Sequence, residues 1–239
     1  MEAIKKLQQL IDGAQNIVFF GGAGVSTESK IPDFRSTDGL YNQKYPYPPE
    51  VILSHSFFER FPAEFFRFYR DKMIYPDALP NPAHLKLAQL EQAGKLKAVI
   101  TQNIDGLHQA AGSRNVLELH GSLQRNYCVR CGRRYSLQDV LESSGVPQCD
   151  CGGIIRPDIV MYEETLDNTV LRRSISHLQQ ADLLIVGGTS LGVYPAAGLL
   201  DHFEGSSMVL INRDPTPYDN RADLILHEKI GHVLGQIKV

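Results

Sequence analysis

The sequence predicts an α/β fold, a parallel sheet covered by helices on both faces, with a smaller cysteine-bearing module set into it. Three observations carry this. Short apolar runs recur at 17–20, 98–101, 116–119, 183–186, 209–211 and 224–226, and runs so brief and so apolar read as strands buried on both faces. Helical patterns lie between several of them, and strands alternating with helices imply parallel pairing. Finally, Cys128, Cys131, Cys149 and Cys151 all fall within one segment, 123–156, that breaks the alternation.

Each element has its own signal. Ile4, Leu7, Leu10 and Ile11 are spaced as the apolar face of a first helix over residues 1–13. That stretch lacks the continuous apolar core and small-residue cleavage site of a signal peptide. No run approaches the roughly 18 apolar residues that span a bilayer, so a cytoplasmic location without membrane contact is expected. Segment 31–75 is rich in Pro, Tyr and Phe, with Tyr45-Pro46-Tyr47-Pro48-Pro49 at its centre. It reads as a loop followed by a helix dense in aromatics (Phe57, Phe58, Phe61, Phe65, Phe66, Phe68), most of them core. Asn81 and Pro82 form an N-cap and first-turn pair opening a helix that runs to Ala93, with Gly94 at its end. Residues 164–180 carry Leu166, Val170, Leu171, Ile175 and Leu178, a second amphipathic helix.

Composition excludes several classes. The chain has 239 residues, 43% hydrophobic and 21% charged, with a net charge of −3. These values are ordinary for a globular protein, and no global field draws it to nucleic acid. The compact basic patch of Arg125, Arg130, Arg133 and Arg134 reads as the solvated surface of the cysteine module, with a docking surface as the alternative. A monomer is the expected state.

Cysteines in a chain without an export signal suggest metal before disulfide. Cys128-x-x-Cys131 and Cys149-x-Cys151 stand seventeen residues apart, a spacing that suits one tetrahedral Zn²⁺ held by four thiolates. Alternate residues of an extended segment share a face, so Cys149 and Cys151 can both ligate, helped by Gly152 and Gly153. With no protein ligand position open, the role is structural; reduced free thiols are the alternative.

Gly21-Gly22-Ala23-Gly24-Val25-Ser26 follows the first strand, where glycines let backbone N–H groups approach a pyrophosphate and a helix N-terminus adds favourable charge. Thr27 stands where a third fingerprint glycine belongs, and no acid ends a strand about 20 residues on. A plain dehydrogenase therefore fits poorly, and a ligand-free turn stays possible on this motif alone. The turn has company, however. Ile31-Pro32-Asp33-Phe34-Arg35-Ser36, Gln102-Asn103-Ile104-Asp105, His120-Gly121-Ser122, Gly188-Thr189-Ser190-Leu191 and Ile211-Asn212 follow in that order. Together with the cysteine module, these closely resemble the sirtuins, the NAD-dependent protein-lysine deacetylases.

The resemblance implies a Rossmann-like parallel sheet with helices on both faces, plus a small zinc-ribbon and helical domain. It implies one catalytic unit over 1–239: an NAD-binding part of about 1–35, 76–122 and 157–239, and a small part of about 36–75 and 123–156. The implied reaction consumes NAD as co-substrate. The acyl oxygen of a modified lysine attacks the anomeric carbon, nicotinamide leaves, and a proton taken from a ribose hydroxyl lets that oxygen attack the acyl carbon. His120 would be the base. Gln102 and Asn103 would orient the ribose and a water, while Ile104 and Asp105 hold the carboxamide. Phe34 would shield the reacting face and Arg35 order the loop near the phosphates. Gly22, Ala23, Gly24, Ser26 and Thr27 would take phosphate, as would Gly188, Thr189 and Ser190. Asn212 and Arg213 would bind the adenosine ribose, with Ile230 bordering the adenine. Val160, Met161 and Tyr162, opposite Val193, would pair with an acetylated-lysine peptide as a strand.

Three departures from the family pattern stand out. Tyr162-Glu163-Glu164 replaces Phe-Gly-Glu, Lys30 replaces a glycine, and the second cysteine pair is one residue short. Tyr69 is followed three residues later by Lys72, not by the Arg that recognises acidic acyl groups, so deacetylation is favoured over succinyl or malonyl removal. Mono-ADP-ribosyl transfer and a non-catalytic ADP-ribose-binding module are the other readings. Among the other histidines, His84 reads as structural, and His108 is the nearest rival to His120.

Overall fold

The computed structural model describes residues 2–34, 39 and 45–239. Helix α1 (Glu2–Gly13) buries Leu7 and Ile11, with Ile4 and Leu10 packed beside them. Lys95 Nζ donates to the carbonyls of Ile11 and Asp12, satisfying acceptors that a helix C-terminus leaves open. Strand β1 (Ile17–Gly21) follows, every residue buried.

The aromatic segment departs from expectation. Three short helices, α2 (Pro49–Ile52), α3 (His55–Arg60) and α4 (Pro62–Phe68), replace a single one, and the chain then winds into a wide turn over Tyr69–Met73. Pro49 and Pro62 lack the N–H that would continue a preceding helix, so each opens a new one. Ser54 Oγ caps α3 by accepting the Phe57 N–H. Five of the six phenylalanines are buried; Phe61, at the junction of α3 and α4, is half exposed.

Asn81 caps α5 (Pro82–Gln92) as its motif predicts. Then come β2 (Leu96–Thr101), α6 (Leu107–Ala110), β3 (Val116–Glu118), β4 (Gly121–Cys128), β5 (Arg134–Ser136), α7 (Leu137–Glu142) and β6 (Ile155–Ile159). Helix α8 (Asn168–Gln180) starts later than residue 164, because the Asp167 carboxylate accepts the N–H groups of Thr169 and Val170 and fixes the N-terminus there. The last elements are β7 (Leu183–Gly187), β8 (Ser207–Ile211), β9 (Leu224–Leu226) and α9 (Ile230–Gly235).

Six strands form one parallel sheet in the order β3-β2-β1-β7-β8-β9. Alternation along β1 sends Ile17 and Phe19 to one face, against Leu7, Leu87 and Val233. It sends Val18 and Phe20 to the other, against Leu178, Leu199 and Leu200. Two buried faces explain why the strands read as unbroken apolar runs. A second, antiparallel sheet, β5-β4-β6, shares a separate core with α2, α3, α4 and α7, built on Phe58, Phe65, Phe66, Leu123, Val140 and Ile155.

The chain winds outward from β1 through β2 to β3, then returns to β7 on the other side of β1. The order therefore reverses between β1 and β7, and an open α/β sheet offers its ligand crevice at the carboxyl ends of such a pair.

Candidate active site

At that switch point two glycine turns lie backbone on backbone. Gly21 pairs in register with Gly187, and Gly24 N–H donates to Gly188 C=O at 2.8 Å. A Cβ on Gly24 would sit 2.8 Å from Gly188 Cα, and one on Gly188, where φ is +59°, would lie 2.4 Å from Val25 N. Only glycine serves at either position. The first turn does not open an α-helix; it runs into two single 3₁₀ turns, Ala23–Val25 and Thr27–Ser29. Asn81 braces it from behind, donating Nδ2–H to Val25 C=O at 2.7 Å and to Ser29 Oγ at 2.9 Å.

These turns form one wall of a cavity of about 490 Å³. Gly22, Ala23, Gly24, Ser26, Thr27, Phe34, Gln102, Asn103, Ile104, Asp105, His120, Gly188, Thr189, Ser190, Asn212, Arg213 and Ile230 all line it. So do Val160, Met161, Tyr162 and Val193. Arg35 lies outside the described residues.

Beyond β2 the chain lays down a connected polar set. Asn103 N–H bonds Thr101 Oγ1, and its Nδ2–H reaches Ser26 Oγ at 3.0 Å. Ser26 in turn donates to Asp105 Oδ2 at 2.6 Å, while Leu107 N–H takes Oδ1. Burial raises the Asp105 pKa, and these two donors oppose the shift. Gln102 is held at both ends, its N–H on Gly21 C=O and its side chain on Thr189 Oγ1 at 3.0 Å.

His120 stands between β3 and β4. A carbonyl only accepts, so the 3.0 Å contact between His120 Nδ1 and Gln102 C=O fixes the proton on Nδ1 and leaves Nε2 as the lone-pair nitrogen. Burial lowers its pKa below the ordinary 6.5, with the Gln102 bond opposing, so the neutral ring is favoured. Gly121 turns the chain at φ +75°, and a Cβ there would lie 2.0 Å from Asp158 C=O. A side chain at 121 would drive β6 off His120. His108, the rival, is buried beside His84 with ring centroids 4.7 Å apart and does not reach the cavity.

At the far end Asn212 N–H bonds Leu226 C=O, and its Nδ2–H bonds Asp214 C=O. Ile230 Cδ1 presses on Gly187, where a Cβ would meet it at 2.2 Å. Arg213 reaches Asp33 at 3.5 Å.

On the opposite side β6 runs into Val160, Met161 and Tyr162. Val160 N–H donates to His120 C=O, and Tyr162 exchanges main-chain bonds with Leu53 and His55. Glu164, expected in a helix, is instead a hub. Its carboxylate accepts from Arg156 at 2.6 and 3.0 Å, from Met161 N–H at 2.8 Å, and pairs with His55 at 2.8 Å. Burial pushes its pKa up, but Arg156, Met161 and His55 outweigh that and hold it at about 2. Lys30 and Glu163 both adopt positive φ, 66° and 77°, so the backbone conformation that suits glycine persists without it.

The four cysteine sulfurs lie within 4.8 Å of one another, with Cys128–Cys151 at 3.5 Å and Cys131–Cys149 at 3.6 Å. Tetrahedral Zn–S bonds of about 2.3 Å place sulfurs about 3.8 Å apart, so the donor set fits zinc. The second pair converges by a different device from strand alternation: Cys149–Gly152 is a tight turn, closed by Gly152 N–H on Cys149 C=O. Gly153 lets the turn approach, since a Cβ there would lie 2.6 Å from Cys128 Sγ. The arginine patch is largely committed, Arg125 to Glu118 and Asp158, and Arg133 to Asp150.

Sequence reasoning missed several wall residues, notably Leu53, Met73, Tyr75 and Tyr194. For Leu53, Met73 and Tyr75 the only signal was the aromatic richness of 45–75, which pointed to core. The bracing role of Asn81 was hidden behind its cap signature.

Residues 22–195 match the Sir2 family. An NAD-dependent protein deacetylase of Clostridium perfringens (strain 13 / Type A) is 58% identical over 99% of this chain and 98% of its own. Another, of Clostridium acetobutylicum, is 56% identical with the same coverage. A solved Sir2 variant with a deacetylated p53 peptide and 3′-O-acetyl-ADP-ribose superposes with a TM-score of 0.88 at 43% identity, covering 97% of this chain and 95% of its own.

Proposed function

The chain belongs to the Sir2 family and is an NAD-dependent protein deacetylase, and we propose that His120 and Asn103 carry its chemistry. The reaction removes acetyl groups from lysine side chains of proteins and yields nicotinamide, O-acetyl-ADP-ribose and free lysine. NAD supplies the reactive anomeric carbon and nicotinamide as leaving group.

The chain's own residues do the rest. Asn103, tied to Ser26 and through it to Asp105, holds polar atoms in fixed positions where the ribose and carboxamide bind. Fixed dipoles in a closed site need no reorganisation as charge develops. Phe34, Ile104 and Met73 line the cavity and exclude water from the cation-like centre. His120 Nε2 takes the proton from the ribose hydroxyl, and Gln102 C=O steadies the charged ring from Nδ1. That fixed tautomer, facing the same cavity as Asn103, is the observation that carries the proposal. Gly22, Ala23, Gly24, Thr27, Gly188, Thr189 and Ser190 receive the phosphates, and Asn212, Arg213 and Ile230 the adenosine. The acetyl-lysine peptide lies between Val160-Met161-Tyr162 and Val193. Cys128, Cys131, Cys149 and Cys151 hold a structural Zn²⁺, which braces one edge of the cleft and takes no part in the proton transfer.

The NAD-binding part comprises about 1–35, 76–122 and 157–239, and the smaller part the two remaining segments; the separate cores support this division. Among the described residues no helix is long and apolar enough to cross a membrane. Four thiols gathered for a metal suit a reducing compartment, which supports a cytoplasmic location.

The test is incubation with an acetyl-lysine peptide and NAD, following nicotinamide and peptide by mass. Equal yields of nicotinamide and deacetylated peptide are expected. Nicotinamide release with ADP-ribose left on protein would refute the assignment.

A further inference from the structure

Glu163 is bound in a way its neighbours do not require. Its φ of 77° is a left-handed conformation that a residue with a Cβ adopts at a cost, and its side chain is exposed. Its carboxylate nevertheless makes two bonds across the cleft wall: Oε2 accepts Ser56 N–H at 2.9 Å and Oε1 accepts Ser56 Oγ–H at 2.9 Å. Ser56 lies in the first turn of α3, whose cap Ser54 forms an isolated parallel bridge with Tyr162. The two donors are charge-assisted and converge on one carboxylate.

The neighbouring glutamate works in the other direction. Glu164 points inward and ties Met161 N–H to Arg156 and to His55 at the start of α3; Glu163 points outward and ties the same backbone to Ser56, one residue further along α3. Beside it, segments 160–162 and 53–56 are joined by the main-chain bonds of Tyr162 with Leu53 and His55 and by the Glu164 carboxylate, which connects Met161 N–H to His55. Those contacts stop at His55, and the Glu163 carboxylate extends the tie to both the N–H and the hydroxyl of Ser56. Glu163 also lines the cavity, so the segment it fixes is the edge where a ligand enters.

We infer that Glu163 is a positioning residue for the acyl-lysine peptide: its clamp on Ser56 holds the extended segment 160–162 and the turn after it in the shape that receives the peptide backbone. This rests on the reading of 160–162, with Val193 opposite, as the peptide groove. A strand partner that is already ordered loses less entropy on docking, so the clamp acts on peptide affinity and not on the chemical step. Glu163 makes no contact with Asn103, Asp105 or His120, and kcat and the KM for NAD are therefore independent of it.

Three single variants, each in the zinc-loaded full chain, test this with an acetyl-lysine peptide. Glu163→Gly accepts the positive φ but loses both bonds; it raises the peptide KM about fivefold, as expected for two exposed charge-assisted bonds, at unchanged kcat and KM for NAD. Glu163→Gln keeps an acceptor for Ser56 and stays within about twofold of the native peptide KM. Val193→Trp, which narrows the groove, raises the peptide KM independently of the clamp. A Glu163→Gly enzyme with native peptide KM, while Val193→Trp is impaired, overturns the clamp and leaves the groove standing. Native peptide KM in both overturns the groove and the clamp with it. A uniform change in peptide KM, KM for NAD, kcat and melting temperature in Glu163→Gly overturns positioning in favour of general loosening.

Discussion

Acid should unfold this protein through two histidines remote from catalysis. His84 and His108 are almost wholly buried, in edge contact at 4.7 Å. His84 Nδ1 accepts the Asn81 N–H, while neither nitrogen of His108 has a hydrogen-bond partner among the described residues. Burial lowers the pKa of His84 from 6.5 to about 4; burial and then the charge of His84 lower that of His108 to about 3. Both rings are thus neutral in the folded protein while the unfolded chain protonates them below 6.5. The contribution is fully present above pH 6.5 and is lost as the pH falls toward the folded values. At pH 5 each ring costs about 1.5 units at 1.36 kcal/mol per unit, or about 2 kcal/mol, and the pair about 4 kcal/mol. Whole-domain stabilities are about 5–15 kcal/mol, so this loss is large. His108→Leu, apolar and near in volume, removes one of the two contributions. Urea unfolding at pH 8 and pH 5 should show the variant losing about 2 kcal/mol less than the native protein between the two. Because other titrating groups are common to both proteins, parallel pH profiles would refute the reasoning.

Other expectations follow from the same geometry. Asn81→Ala removes a helix cap and two bonds to the glycine turn; it should cost about 2 kcal/mol in urea unfolding and raise the KM for NAD. Asp105→Asn leaves Ser26 and Leu107 without their charged acceptor, and should raise the KM for NAD about tenfold, measured with peptide saturating. Elemental analysis should find one zinc per chain, and a strong chelator should release it with a lower melting temperature; retained stability after complete removal would contradict a structural role. For His120, burial lowers the pKa, so the base is deprotonated above the ordinary 6.5 and kcat/KM should be flat there. A rise of kcat/KM with pH that continues above pH 7 and is controlled by His120 would contradict this.

What the sequence made legible tracks how local the cause was. The inner strands of the parallel sheet, β2, β1, β7 and β8, could be read because both of their faces are largely buried, so no alternation blurs the apolar runs. Asn81-Pro82 announced α5 through a cap whose donors lie two and three residues away. By contrast, the break of the aromatic segment at Pro62 and the late start of α8 at Asp167 depended on which of several signals won. The glycine turn was read as entering a helix, but its backbone is taken by Gly188, a residue remote in sequence. The convergence of Gly22–Ser26, Gln102–Asp105 and His120 on one cavity was foreshadowed by their motifs. The tie from Asn103 through Ser26 to Asp105 was not, nor was the Glu163 clamp, since each joins segments that only the fold brings together. The Cys149-Cys151 pair shows the same limit: its residues were evident, but the turn that aims both sulfurs inward was assigned to strand alternation.

The central claim is that His120 acts after nicotinamide departs, on a site whose earlier work belongs to Asn103 and Asp105. His120→Ala separates the two. With acetyl-lysine peptide and NAD, the variant should form deacetylated peptide about 10²–10⁴-fold more slowly, the usual worth of a positioned general base. Exchange of labelled nicotinamide into NAD should persist, because the Asn103–Ser26–Asp105 set is intact. Deacetylation at the native rate in His120→Ala would contradict the account.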